Sequence, residues 1–181
     1  MKVILRNVRL AFPAIFEAKS VAGEEPAYSA SLILPPNHPD IASINDGIEA
    51  VAKEKWGAKA AETLKALRAK GNVCLHDGDE KANYDGFEGN MYVSARSKTR
   101  PLVVDRDKSP LTASDGRPYG GSFVVASLEL WAQDNNFGKR VNAQLKGVQF
   151  YADGDAFSGG APADPDDFED LSTGADAEAL A

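Results

Sequence analysis

The chain is poor in the residues that most enzymes and secreted proteins depend on. It has one cysteine, Cys74, so no internal disulfide can form, and a reducing cytoplasm is the simplest compartment. Its two histidines, His38 and His76, lie too far apart to share any metal-binding spacing, and one cysteine cannot complete a zinc pattern. No apolar run approaches the ~20 residues of a membrane span, and the N-terminus lacks the apolar core of a signal peptide. There is no glycine loop that would cradle a phosphate and no recognisable nucleophile–base pair. Lysine and arginine also stop early: beyond Lys146 there are none.

That last absence decides how the net charge of −7 is read. Nine acids and no base fall between Ala152 and Ala181, leaving 20 bases against 18 acids in residues 1–151. Between Arg96 and Lys146 the balance is nine bases to five acids. The acidity therefore belongs to the tail, and the middle of the body is mildly basic, which leaves a polyanionic partner open. A hydrophobic content of 43% with 26% charged residues fits an ordinary globular domain of this length.

The most informative stretch is MYVSARSKTRPLVVDR, residues 91–106. Strand side chains alternate faces, so Met91, Val93, Ala95 and Ser97 point one way while Tyr92, Ser94, Arg96 and Lys98 point the other. Arg100 and Arg106 follow. An outward row of ring, hydroxyl and cations is what a groove for an unpaired nucleic acid needs. The plainer alternative is a half-exposed strand with a solvated face.

Other elements follow in order. Residues 2–12 read as a first strand with a bulge near Asn7, ended by Phe12-Pro13, with Phe16 and Lys19 in the loop beyond and a turn at 23–26. Residues 27–34 form a second strand. Pro39 opens a helical segment whose stripe runs Ile41, Ile44, Ile48 and Val51. It is interrupted at Trp56-Gly57, resumes through Ala61, Leu64 and Leu67, and closes at Lys70-Gly71. Residues 76–89 are an acidic, glycine-rich loop. Asp77, Asp79 and Asp85 near His76 raise the idea of a metal, but the spacing fails the calcium-loop pattern, so no metal or other cofactor is expected.

Residues 122–132 form a long strand with two apolar faces. Phe123 and Trp131 share one of them, and either the helix or a second copy of the chain could cover it, which allows a homo-oligomer. Residues 139–151 form the last strand, with Arg140, Asn142, Gln144 and Lys146 in a polar row matching the one at 92–98. The loop between these strands carries Phe137 beside Lys139 and Arg140. Phe137 either stacks on a base or folds back to plug a barrel end. From Ser158 the chain has too little apolar surface to offset its entropy and is expected to be disordered. Asp166, Asp167, Phe168, Glu169 and Asp170 form an acidic cluster around one ring that could solubilise, compete for a basic groove or contact a partner.

Five or so strands, a helix after the second and an acidic tail suggest a mainly β fold with one helical segment. This is a five-stranded barrel of the oligonucleotide-binding (OB) type over 1–157, followed by a disordered tail over 158–181. Three blocks in order, GFEGNMYVSARSKTRPLVVDR, RPYGGSFVVASLELW and LKGVQFYADGDAF, resemble a family of phage-encoded single-stranded DNA-binding proteins. The resemblance implies sequence-tolerant binding of single strands in phage replication or recombination inside an infected bacterium, and no catalysis. It also implies an acidic C-terminus that meets replication or recombination proteins. The strand-face argument names Tyr92, Arg96, Lys98, Arg100, Arg106, Tyr119, Trp131, Phe137, Lys139, Arg140 and Lys146 as DNA-binding candidates. A phage assembly protein built on the same barrel, with no affinity for nucleic acid, is the competing expectation.

Overall fold

A computed structural model describes residues 1–157, 166 and 168–172. The expected disorder of the tail, and Asp167 within it, lie outside the described residues. The strands are β1 (Lys2–Lys19), β2 (Ala27–Leu34), β3 (Leu75–Asp77), β4 (Met91–Ser97), β5 (Leu102–Val104), β6 (Phe123–Asn135) and β7 (Gly138–Ala152). The helices are α1 (Asp40–Trp56) and α2 (Ala60–Ala69), both between β2 and β3.

Five of these strands close a barrel. β1 pairs antiparallel with β2 and with β6, β2 pairs with β4, and β6 pairs with β7. The ring is shut by a parallel contact between β4 and β7, where Ala95 faces Ala143 and Arg96 faces Gln144. This is the closed OB-type barrel that the sequence suggested, with β3 and β5 added at its margins.

Alternation fills the interior. Val124, Ala126, Leu128 and Leu130 of β6 are buried, as are Val141, Ala143, Leu145 and Val148 of β7. The helices cap this core with Ile44, Ile48, Val51, Leu64 and Leu67. Ala60, rather than Ala61, carries the second half of the stripe, because a 3-10 turn at Gly57–Lys59 resets the helical phase. α2 ends as the sequence predicts: Gly71, at φ 71°, donates to Arg68 O and Asn72 to Leu67 O, the paired bonds of a Schellman cap. The chain then enters the barrel wall, where Cys74 N donates to Val141 O and Ser94 N to Cys74 O.

Two sequence expectations are corrected. The first strand does not stop at Phe12-Pro13 but runs on to Lys19, taking in Phe16. Its register slips between Ala11 and Ala14, and Phe12 adopts a left-handed φ of 47°. Proline is tolerated there because a bulge needs no ladder donor. The expected irregularity at Asn7 is present, with φ 54° and a register shift between Leu5 and Val8.

The second correction concerns Tyr92. It is only 4% exposed. It leaves β4 on the outer face as the alternation demands, but the 76–90 segment folds over it. His76 stacks on its ring at 4.9 Å, Phe87 meets it edge-on at 5.1 Å, and Ala11 and Ile33 complete a small separate cluster. The segment is pinned by Gly78, whose N–H donates to Asn90 O at 2.7 Å.

A Cβ at Gly78 would lie 2.1 Å from Phe87 O and 2.5 Å from Asn90 O, both backbone atoms. Gly78→Ala is expected to cost about 1–3 kcal/mol of stability and to expose Tyr92, read as a lowered Tm and faster amide exchange across 78–92. An unchanged Tm would show that the cover does not depend on this close approach.

Candidate nucleic-acid interface

Beyond the Ala95–Ala143 contact, β4 and β7 diverge, and the segment through Val73 and Cys74 fills the gap. Val73 bridges to Val141 on one side, while Leu75 pairs with Val93 on the other. The result is an open groove of about 1020 Å³. Its floor carries Ser94, Asn142 and Gln144. One rim is the turn after β1, with Glu24 and Glu25, and the other is the β6–β7 hairpin, with Trp131 and Phe137.

Arg96, Lys98 and Arg140 line the same groove. The period-two pattern of β7 puts Arg140, Asn142 and Gln144 outward, as expected, and the parallel register brings that row beside Ser94 and Arg96. Trp131 sits opposite Asn142 and is 45% exposed. At the hairpin tip Asn135 Oδ1 accepts from Phe137 N at 2.9 Å and from Gln133 Nε2 at 3.2 Å. Trp56 Nε1 also donates to Asp134 at 3.0 Å. These bonds hold the turn while Phe137 projects from it, 91% exposed. The ring does not fold back to plug the barrel.

Two of these cations are already engaged. Arg96 pairs with Glu24 at 3.2 Å and donates to Glu25 O, and Lys98 pairs with Glu25 at 2.8 Å. Hydrogen bonding and charge from Lys98, aided by Arg96, hold the Glu25 carboxyl below its ordinary range. All four side chains are more than half exposed, so both pairs are weak, solvent-screened and exchangeable. Sequence reasoning put these two glutamates in a turn and gave them no role. The signal was two adjacent acids beside a proline in the loop entering β2.

Two groups at the groove wall are shifted toward their neutral forms. Burial, with Lys81 and Arg140 nearby and Glu80 opposing, keeps His76 below its ordinary value. Burial pushes the Cys74 thiol up to about 12, so it behaves as a small apolar residue. No group of three or more metal-ligating side chains occurs among the described residues.

The family model described as Enterobacter phage Enc34, ssDNA-binding protein matches residues 1–180. The chain belongs to that family. Protein p50 of Acyrthosiphon pisum secondary endosymbiont phage 1 is 49% identical over the full length of both chains. The solved single-stranded DNA-binding protein from bacteriophage Enc34 in complex with ssDNA is 28% identical. That similarity has a TM-score of 0.74 and covers 87% of this chain and 89% of the other. Bacteriophage T7 gp2.5, at 16% identity and TM-score 0.58 over 92% of this chain and 93% of its own, shares the fold.

Within this family member not every candidate reaches the groove. Lys139 lies at the hairpin, opposite Asp134 in the ladder and next to Arg140. Arg100 donates to Phe16 O at 2.8 Å, outside the lining. Arg106 lies 5.5 Å over the Tyr151 ring. Lys146 is the extra residue where the β6–β7 register slips, near Glu129. Tyr119 is tied through its hydroxyl to Asp153 and Gly154, beside a different depression. Tyr92 has no ring face to offer. Among the tail candidates, Asp166, Phe168, Glu169 and Asp170 are exposed.

The Glu25–Lys98 pair is directly measurable. A carboxyl-detected NMR titration should place Glu25 below an ordinary glutamate, and Lys98→Ala should raise it. A depressed folded-state pKa means that the pair's contribution is present above the unfolded value and lost as pH falls through the folded one. A Glu25 midpoint indifferent to Lys98→Ala would remove the pair.

Proposed function

We propose that this protein binds single-stranded DNA without strong sequence preference, through the groove between β4, β7, the turn after β1 and the β6–β7 hairpin. The observation that carries the reading is the convergence of Arg96, Lys98 and Arg140 with two exposed rings, Trp131 and Phe137, in one trough. The third barrel strand, β4, and the loops joining barrel strands one to two and four to five are among the places where OB-folds bind oligonucleotides. The Enc34 protein was solved in complex with ssDNA.

In this mechanism the strand's phosphates replace the carboxylates of Glu24 and Glu25 on Arg96 and Lys98, while Arg140 holds the phosphates at the hairpin. Bases stack on Trp131 and Phe137. Every base has a π-face, so the stacking tolerates any sequence. On this reading there is no catalytic step and no cofactor, and the protein coats single strands during phage replication or recombination in the host cytoplasm. Residues 1–157 act as the binding domain. The closure supports such a boundary, because Phe157 N donates to Gly120 O at 3.0 Å and Arg9 lies 4.3 Å over the Phe157 ring.

Titrating a labelled oligo-dT at several salt concentrations tests the electrostatic part. Three engaged cations should give a slope of log K against log salt near −2, from about −0.7 per phosphate on a single strand. Phe137→Ala and Trp131→Ala should each lose about 1–3 kcal/mol with the slope unchanged. A flat salt response would reject the groove as the site.

We propose that the acidic segment 158–181 competes with DNA for the basic groove. Removing it should tighten binding, most at low salt, in a titration of the shortened chain against the full one. Equal or weaker affinity would leave the segment for contacts with replication or recombination proteins.

A further inference from the structure

The groove is not the end of the aromatic surface. On the outer face of the sheet the register carries small side chains away from it, with Ser29 partly exposed and Ser31, Ala11 and Ala14 buried. Ser94 of β4 faces Ser31 of β2, which faces Ala11 of β1, and Arg96 faces Ser29, which faces Ala14. Adjacent strands lie about 4.8 Å apart, so two steps span roughly 10 Å. At the far side is a second depression of about 640 Å³, lined in part by Ser29 and Ala11 and flanked by the loop over Tyr92.

Two rings stand half exposed there. Phe12 is 51% and Tyr84 48% exposed, with centroids 5.1 Å apart and planes perpendicular. Phe87 backs Phe12 at 5.8 Å. The Lys81 ammonium lies 5.7 Å from the Phe12 ring, and Lys19 lines the same hollow. The left-handed φ of Phe12 is unusual for a bulky residue, and it turns the ring out of the strand that carries it.

We infer that Phe12 and Tyr84 form a second base-stacking platform, with Lys19 and Lys81 as its phosphate contacts, so that a single strand leaving the groove at Arg96 passes Ser29 and continues there. The inference rests on the binding reading above and extends it to a longer site. A polynucleotide is the favoured occupant over a protein segment for two reasons: Ser29 of this hollow and Arg96 of the groove are cross-strand neighbours, and Lys19 and Lys81 stand by the rings against one acid, Asp85, in the lining.

The test compares wild type with Phe12→Leu and Tyr84→Leu, which keep apolar bulk but remove the π-face. Each is titrated against oligo-dT of about 5 and about 20 nucleotides, lengths bracketing the ~4–16 nucleotides an OB fold covers. Each substitution should weaken the long oligonucleotide roughly tenfold, the scale of one lost stack, and leave the short one unchanged. Photocrosslinking of wild type to the long oligonucleotide carrying 5-iodouracil should label peptides containing Phe12 or Tyr84 as well as Trp131 or Phe137. Crosslinks confined to the groove, with both variants binding like wild type, would overturn the platform and leave the groove intact. Failure of wild type to bind either length would overturn both readings.

Discussion

The parallel contact between β4 and β7 governs everything else in this molecule. Ala95 and Ala143 meet at the seam, and both line the core. Because side chains alternate, burying those alanines forces Arg96 and Gln144 outward together. The seam is short, and the strands part beyond it, so the same contact creates both the closed barrel and the trough along its outside. A slip of one residue would bury Arg96 and Gln144 and turn the alanines to solvent.

The chemistry of the trough follows from how its charges are held. The body has almost no net charge, yet three cations converge, and the counterions of two of them sit on a loop rather than in the floor. Glu24 and Glu25 neutralise Arg96 and Lys98 without burying them. Ions paired in water exchange partners at low cost, whereas a buried pair would have to be desolvated again. A flexible polyanion offering many phosphates can therefore displace two carboxylates whose own attachment is weak. The rings at the hairpin need no such exchange: Phe137 already stands in solvent.

Much of this was legible in the sequence. The polar rows of β4 and β7 obey a period of two, and the helix stripe obeys its own, so local pattern sufficed for the barrel walls, the helical cap and the outward cations. The errors arose where distant segments meet. Tyr92 follows the alternation, yet the 76–90 segment covers it, and nothing near Tyr92 announces His76 stacking on its ring. Proline after Phe12 reads locally as a strand end, because the bulge that accommodates it exists only against β2. Arg100, Arg106 and Lys146 have the right charge, but Arg100 is held on Phe16 O, Arg106 lies past β5 over Tyr151 and Lys146 falls at a bulge, all away from the groove. Alternation assigns a side of the sheet; register and cover decide which groups share a surface.

That distinction also explains the asymmetry between the two ends of the outer face. Toward β7, the groove is walled by long polar side chains and an exposed hairpin, features that leave a clear trace in the sequence. Toward β1, the aromatic pair is assembled from residues 72 positions apart, one on a strained strand and one on a loop. Phe12 would be a core residue in an unbroken strand; the left-handed bend at its own α-carbon sets it at the surface instead. Exposing a large ring costs favourable burial, and the bend adds conformational strain, so the fold carries two local costs at one position. Phe87 beneath the ring and Lys81 beside it offset only part of them. A ligand that stacks on the exposed face would restore the burial that the bend gives up.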